Sequence, residues 1–231
     1  MRRRPGGELA ARPLHIIFVA DCSGSMASAG KIQALNQAVR EALPHLVKVA
    51  SENPHADVLL RAISFDDSAR WHHAVPTKAN DFSWDDLSPR GSTAMGKAMR
   101  LLADALDVEQ MSSRALPPVL ILLSDGQPTD DFGAELANFE QQPWSRKAVR
   151  LSIAIGSDAD HGPLQRFIGN DELPVLQANN PQDLVHYIRW ASTAVIQAVS
   201  SPTSRVAGSA TSRNVDLGEI PTSLPENDDV W

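Results

Sequence analysis

Residues 14–25, LHIIFVADCSGS, decide the fold class of this chain. The first seven are a mostly apolar run rich in β-branched and aromatic side chains, which is typical of a buried strand. One carboxylate and two hydroxyls follow at once, at Asp21, Ser23 and Ser25. In open α/β sheets, ligands bind beyond the carboxyl ends of the strands. We therefore expect these three side chains to project together into a crevice.

The pattern that begins there continues to about residue 200. Short apolar runs alternate with segments in which apolar residues recur every three or four positions. The strands are predicted at residues 14–20, 57–65, 119–124, 148–155 and 174–177, with an edge strand at 69–75. Strands alternating with helices predict an α/β fold, a mostly parallel sheet covered by helices on both faces.

Three apolar stripes predict helices that pack on this sheet. Their members are Ile32, Leu35, Val39, Leu43 and Leu46; Met95, Ala98, Leu102, Ala105 and Leu106; and Leu184, Ile188, Ala191, Val195 and Ala198. Pro44 is expected to kink or shorten the first helix, because proline lacks an amide hydrogen and its ring clashes with the preceding turn.

Composition excludes several classes of protein. The 231 residues carry 21 Lys and Arg against 28 Asp and Glu, a net charge of −7. A general nucleic-acid binder needs a basic surplus, so we expect no nucleic-acid partner. No apolar run approaches the length of a membrane span, so no membrane insertion is expected. Cys22 is the single cysteine and cannot close an intrachain disulfide, which fits the cytoplasm.

The ends of the chain differ from its middle. Residues 1–12 are predicted to be a flexible N-terminus and 13–200 the folded domain. Residues 201–231 are rich in Ser, Thr and Pro, carry a net charge of −3 and predict a disordered acidic tail. The hydroxyls of this tail are candidate phosphorylation sites, and its end at Trp231 is a candidate docking peptide, since tryptophan can bury a large apolar area.

Two further segments add oxygen donors to the first. Asp125 follows the strand at 119–124, and Thr93 stands just before the second predicted helix. Singly, Asp21 or Thr93 could be a helix cap. Together, two carboxylates and three hydroxyls suit Mg²⁺, a hard ion held by few carboxylates with several waters. Such a set leaves one coordination position for an outside ligand, most naturally a carboxylate.

These motifs resemble a known family. Asp21-x-Ser23-x-Ser25, Gly91-x-Thr93 and Asp125-Gly126 resemble the metal-ion-dependent adhesion site of von Willebrand factor type A (vWA) domains. Within that family, KIQALNQAV at 31–39, ISFD at 63–66, GSTAMG at 91–96 and LSDGQPTD at 123–130 look like the bacterial TerY and YegL branch, associated with tellurium resistance and stress response. The resemblance covers about residues 12–200.

The resemblance implies a fold, a site and a function. The fold is a Rossmann-like, six-stranded, mostly parallel sheet with one antiparallel edge strand. Ser23, Ser25 and Thr93 would be hydroxyl ligands of Mg²⁺ or Mn²⁺, with Asp21 and Asp125 acting through bound water. An acidic residue of a partner protein would complete the coordination, with no catalysis. TerY-like genes often neighbour those of a Ser/Thr kinase and a metal-dependent protein phosphatase, which are the expected partners.

Two other functions remain open. One is a Mg²⁺-dependent phosphohydrolase with Asp21 as nucleophile, although Ser23 stands where such enzymes need a second aspartate as acid/base. The other is a scaffold that needs no metal. Residues 91–97 resemble a phosphate-binding loop, but Ala98 lacks the hydroxyl required for Mg²⁺ and no strand precedes it.

The remaining polar signals are expected to be structural. His72 and His73 should point to opposite faces of a strand and so cannot share a metal. Asp66, Asp67 and Asp131 are predicted to be solvated loop acids, and Asp130 to lie near the rim of the metal site. Cys22 is predicted to be a packing residue without a basic neighbour.

Overall fold

The structure, a computed structural model, describes residues 11–200, and all six predicted strands are present. The strands are β1 (Arg12–Asp21), β2 (Ala56–Phe65), β3 (Ala69–Lys78), β4 (Val119–Ser124), β5 (Val149–Ile155) and β6 (Leu176–Ala178). The helices are α1 (Lys31–Glu52), α2 (Met95–Ala105), α3 (Phe132–Gln141), α4 (His161–Ile168) and α5 (Pro181–Ser200), with 3₁₀ turns at Gly24–Gly30 and Ala79–Asp81. The predicted tail at 201–231, its proposed docking and phosphorylation, and most of the predicted flexible N-terminus lie outside the described residues.

The six strands form one sheet in the order β3-β2-β1-β4-β5-β6. Of the five strand pairs in the described part of the chain, only β2–β3 is antiparallel, which confirms the mostly parallel sheet with one antiparallel edge strand. The strand order reverses at β1, and this reversal opens a crevice between the carboxyl ends of β1 and β4. Ala20 pairs with Leu123, so Asp21 ends level with Ser124.

Helices cover both faces of the sheet, as predicted. Leu14, Ile16 and Phe18 of β1 pack with α1 and α5 in one core layer. Ile17 and Val19 point the other way and pack with α2, α3 and α4. The alternation along one strand therefore feeds two cores, because successive side chains leave a strand on opposite sides. Within residues 11–200, no helix combines the length and apolar character needed to cross a membrane.

The expected shortening of α1 at Pro44 is wrong. The helix continues to Glu52, about two turns past the proline. Pro44 is exposed, as is Arg40, whose carbonyl group loses its amide partner on the solvent side of the helix. Leu46, beyond the proline, is buried in the core, so the packing of the apolar stripe offsets the lost hydrogen bond.

The expected opposite orientation of His72 and His73 is also wrong. The pairing of β2 with β3 shifts by one residue between Ala62 and Ile63, which leaves His72 as the extra residue of a β-bulge. The His72 ring lies 4.8 Å from Trp84 and the His73 ring 4.7 Å from Phe82, both on the α1 side of the sheet. Each imidazole has its own partner, so the pair does not converge on one point.

Candidate metal centre

Asp21 is held in one orientation where β1 ends. Its carboxylate is fully buried, and Oδ1 accepts a hydrogen bond of 2.8 Å from the Ser23 amide. Oδ2 accepts a hydrogen bond of 2.5 Å from the Ser124 hydroxyl, at the end of the neighbouring strand. The register of β1 and β4 makes this second contact possible, because it brings the two strand ends level.

The loop after β1 presents its two serines together. The Oγ atoms of Ser23 and Ser25 lie 3.0 Å apart, the first residue buried and the second exposed. Between them, the Gly24 amide donates to the Gly91 carbonyl at 2.9 Å. A Cβ atom at Gly24 would lie 3.0 Å from that oxygen, so any other residue there would push the two loops slightly apart.

Thr93 reaches the same edge through a contact with the segment that follows Asp125. Its amide donates to Thr129 Oγ1 at 3.1 Å, and its carbonyl accepts from the Thr129 amide at 2.9 Å. Thr93 is buried, and the N-cap of α2 is Ala94, which makes no side-chain capping bond. Thr93 is therefore not the helix cap that its sequence position allowed.

Asp125 is the least satisfied group of the site. The residue is 1% exposed, and its Oδ1 atom has no hydrogen-bond partner within residues 11–200. Its Oδ2 atom lies 3.9 Å from the ammonium of Lys31. Buried carboxylate oxygens are almost always paired, because an unpaired one loses its hydration without compensation. An unpaired carboxylate oxygen of this kind fits a site that takes a cation.

The surroundings of Asp21 disfavour its charged form. Burial raises the pKa of Asp21 to about 6, hydrogen bonds from Ser124 and Ser23 oppose the rise, and the neighbouring charge of Asp125 adds to it. A divalent cation would neutralise both carboxylates. Within the described part of the chain, no three His, Cys, Asp or Glu side chains form a metal-binding group, so the donor set remains two carboxylates with three hydroxyls. This set fits Mg²⁺.

The Asp66 cluster, formed by Asp66, Arg70 and Arg90, supports these loops and was not among the sequence predictions. Asp66 is buried rather than solvated, and its Oδ2 lies 2.7 Å from Arg90 Nε and 2.8 Å from Arg70 Nη1. Although burial alone would raise it, the hydrogen bonds from Arg90, Ser68 and Arg70 hold the pKa of Asp66 at about 2. The Asp66 carbonyl also accepts from the Ala94 amide at 2.7 Å. The prediction of a solvated acid is therefore wrong.

Cys22 belongs to this same support. Its sulfur lies 3.8 Å from Arg70 Nη2, so the expectation that it lacks a basic neighbour is wrong. Burial, followed by the charge of Asp66, nevertheless raises the pKa of the thiol to about 11. The thiol is buried and protonated at neutral pH, which agrees with a packing residue.

The amides of the loop that resembles a phosphate-binding motif are already occupied. Asp67 Oδ1 accepts from the Ser92 amide at 2.8 Å. The carboxylate of Asp130 accepts from the amides of Gly96 and Lys97 at 2.9 and 3.0 Å. Asp130 thus caps the start of α2, and the segment before this loop contains no strand. The geometry disfavours phosphate binding there.

Known proteins agree with this architecture. Residues 16–127 match the family model described as von Willebrand factor type A domain. One similar solved structure is von Willebrand factor type A from Catenulispora acidiphila, with a TM-score of 0.61 and 18% sequence identity over 80% of this chain and 43% of that one. Another is the PilB minor pilin from Streptococcus sanguinis, with a TM-score of 0.63 and 14% identity over 89% of this chain and 66% of that one. The ArnB paralog VWA2 from Sulfolobus acidocaldarius is also similar, with a TM-score of 0.56 and 16% identity over 78% of this chain and 45% of that one.

These structural similarities concern the fold alone, because the sequence identities are low. The chain spans less than half the length of the Catenulispora and Sulfolobus proteins. No curated protein sequence matches it significantly. The family match, the six-stranded sheet and its helices agree with one another. We conclude that this chain contains a von Willebrand factor type A domain.

Proposed function

We propose that this vWA domain binds Mg²⁺ or Mn²⁺ at the carboxyl ends of β1 and β4 and uses the ion to hold a partner protein. The observation that carries the proposal is the buried Oδ1 atom of Asp125, which lacks a hydrogen-bond partner among the described residues, beside the buried carboxylate of Asp21. The proposed hydroxyl ligands are Ser23, Ser25 and Thr93, with Asp21 and Asp125 acting through water.

The partner is expected to contribute an acidic residue. Five oxygen side chains leave a coordination position of an octahedral ion open to an outside oxygen. Ser25 is exposed, so this edge of the site is accessible to a second protein. The carboxylates of Asp21 and Asp125 would repel an acidic partner on their own, and the divalent ion reverses the sign of the charge at that spot.

Domains of this family commonly serve as protein-interaction modules. The four motifs that resemble the TerY and YegL branch support a role in a bacterial stress-response or signalling system in the cytoplasm. A Ser/Thr kinase or a metal-dependent protein phosphatase is the partner class that this resemblance favours.

The contacts of Asp21 favour binding over phosphohydrolysis. Both of its carboxylate oxygens accept hydrogen bonds, which makes the group a weak nucleophile, and Ser23 supplies no acid/base two residues on. A phosphohydrolase would hydrolyse a generic phosphate ester with Mg²⁺, and Asp21→Asn would abolish the turnover. We expect no turnover from either protein.

Calorimetric titration of Mg²⁺ tests the proposal directly. Wild type is expected to bind one ion and Asp21→Ala to bind none. Asp171→Ala, a matched change of an exposed aspartate elsewhere, should bind one ion as wild type does. Partner capture should require Mg²⁺ and fail with Asp21→Ala or with chelator. Undiminished capture in both the variant and the chelated sample would contradict the metal bridge.

Thermal melting separates this proposal from the metal-independent scaffold. A ligand that binds only the folded state must raise the unfolding midpoint. The midpoint of wild type should therefore rise with Mg²⁺ and that of Asp21→Ala should not. Equal midpoints with and without Mg²⁺ in wild type would favour the scaffold.

A further inference from the structure

Lys31, the first residue of α1, is a buried lysine next to the metal centre. Its side chain is 3% exposed, and lysines are rarely so buried unless they are paired. Its Nζ atom lies 2.6 Å from Asp158 Oδ1 and 3.9 Å from Asp125 Oδ2. The ammonium thus stands between a site carboxylate and the loop that follows β5.

The fold keeps a place for this ammonium. Gly156, at the end of β5, has a φ of +92°, and a Cβ atom there would lie 2.4 Å from Lys31 Cε and 2.8 Å from Nζ. The same loop also contacts Asp125 directly, because the Asp160 amide donates to the Asp125 carbonyl at 2.7 Å. Residues 156–160 are therefore joined to the site through both Lys31 and Asp125.

The charges of Asp21, Asp125 and Asp158 indicate how Lys31 affects metal binding. Asp21 and Asp125 place two buried carboxylates together, and Lys31 offsets part of their charge. A divalent cation entering the same site meets an ammonium already held close to Asp125. Charges of like sign a few ångströms apart in a buried site oppose each other strongly. Asp158, whose side chain is 65% exposed, draws the ammonium toward the loop and away from Asp125.

We propose that Lys31 is the internal counter-cation of Asp125 and that the Lys31–Asp158 pair sets the affinity of the site for divalent metal. Lys31 stabilises the metal-free carboxylates and weakens metal binding, and Asp158 limits this weakening. The inference rests on the proposed function, since it concerns the same metal site.

The two members of the pair should act in opposite directions. Lys31→Met removes the competing charge, so Mg²⁺ should bind about tenfold more tightly. Asp158→Asn leaves the ammonium closer to Asp125 and without its counter-charge, so Mg²⁺ should bind severalfold more weakly. A role limited to packing predicts no such opposition, because both changes would then loosen the loop and weaken metal binding together.

Calorimetry with Mg²⁺ and with Mn²⁺ measures both affinities. Thermal midpoints in chelator and in saturating Mg²⁺ supply a second readout. Lys31→Met should melt lower than wild type in chelator and recover with Mg²⁺. Arg150→Met and Glu140→Gln are matched controls, since the Arg150 side chain is 5% exposed and its Nη1 lies 2.9 Å from Glu140 Oε1 at the opposite end of the sheet.

The outcomes separate the two proposals. Tighter binding by Lys31→Met, weaker binding by Asp158→Asn and unchanged controls support the inference. Wild-type affinity in both variants overturns it while the proposed function stands, and failure of wild type to bind Mg²⁺ overturns both. If Lys31→Met does not fold, Asp158→Asn decides the question, because Asp158 lies on the surface.

Discussion

Two buried polar clusters lie at opposite ends of β1, six residues apart. At the carboxyl end, Asp21 shares the site with Asp125 and Lys31. Toward the amino end, His15 lies beside Arg61 of β2, and each of these two residues is 8% exposed. Both clusters contain buried atoms without a hydrogen-bond partner in residues 11–200. They differ in the sign of their charge and in how they are built.

Burial disfavours the charged form in both clusters, with opposite effects on the pKa. It lowers the pKa of His15 to about 4, with a smaller contribution from the charge of Arg61, and it lowers the pKa of Arg61. It raises the pKa of Asp21. The Arg61 guanidinium lies 4.7 Å from the Trp71 ring centroid. This cation–π contact compensates in part for the hydration that the buried guanidinium has lost.

The construction of the clusters explains why only one resembles a ligand site. The amino-end pair stands on the neighbouring strands β1 and β2, and the Arg61 guanidinium packs on the Trp71 ring. The carboxyl-end cluster is built from loops that follow different strands, so oxygen atoms from distant segments converge. A polar group in a core is tolerated, whereas convergent carboxylates and hydroxyls favour a cation.

The largest effect should come from the tightest point of the carboxyl-end cluster. Gly126 has a φ of +78°, and a Cβ atom there would lie 2.0 Å from the Asp160 carbonyl oxygen. Gly126→Ala should reduce the free energy of unfolding by roughly 3–4 kcal/mol, because strain and overlap add. Urea unfolding measures this. Gly133→Ala, inside α3, would bring its Cβ closest to the flexible end of Arg166 and should change this free energy by about 1 kcal/mol or less.

Metal affinity should distinguish the clusters next. Asp125→Asn removes the charge of the carboxylate whose Oδ1 atom has no hydrogen-bond partner within residues 11–200. Mg²⁺ affinity should therefore fall about 100-fold, which equals about 2.7 kcal/mol. His15→Leu changes a buried polar group of the other cluster and should leave the affinity unchanged. Calorimetry on both variants tests the comparison, and an equal loss in each would contradict it.

Acid should destabilise the protein through the amino-end cluster. The unfolded chain binds a proton at His15 near pH 6.5 and the folded chain only near pH 4, so stability is lost as the pH falls between these values. At pH 5 the loss should be about 2 kcal/mol. Urea unfolding at pH 7.5 and pH 5 should show this loss in wild type relative to His15→Leu. An identical pH dependence in both proteins would contradict the assignment.

The smallest effect should come from a positioning contact. Thr129→Val removes the hydroxyl that accepts from the Thr93 amide, which should cost about 1 kcal/mol of stability and a few-fold of Mg²⁺ affinity. Thr77→Val removes a comparable bond to His73 Nε2, 2.8 Å long, at the sheet edge. The control should lose stability without losing affinity.

Local patterns predicted most of the secondary structure and failed where long-range contacts decide. The helices α3 and α4 were not predicted, because they are short and their apolar stripes have few members. Their N-caps were a usable signal, since Asp131 and Asp160 each accept an amide hydrogen bond from the first turn. The β-bulge at His72 left no such signal, because it depends on the pairing with β2.

The same division holds for the site. Local sequence patterns were enough to find the six strands, three of the helices and the five oxygen side chains, since each of these side chains follows a strand or precedes a helix. Three further features became visible only in the folded chain: the hydrogen bond from Ser124 to Asp21, the Asp66 cluster, and the position of Lys31 between Asp125 and Asp158. Lys31 and Asp158 are 127 residues apart in sequence. Contacts of this kind have no local pattern, because they arise only when parallel strands bring their carboxyl ends to one edge.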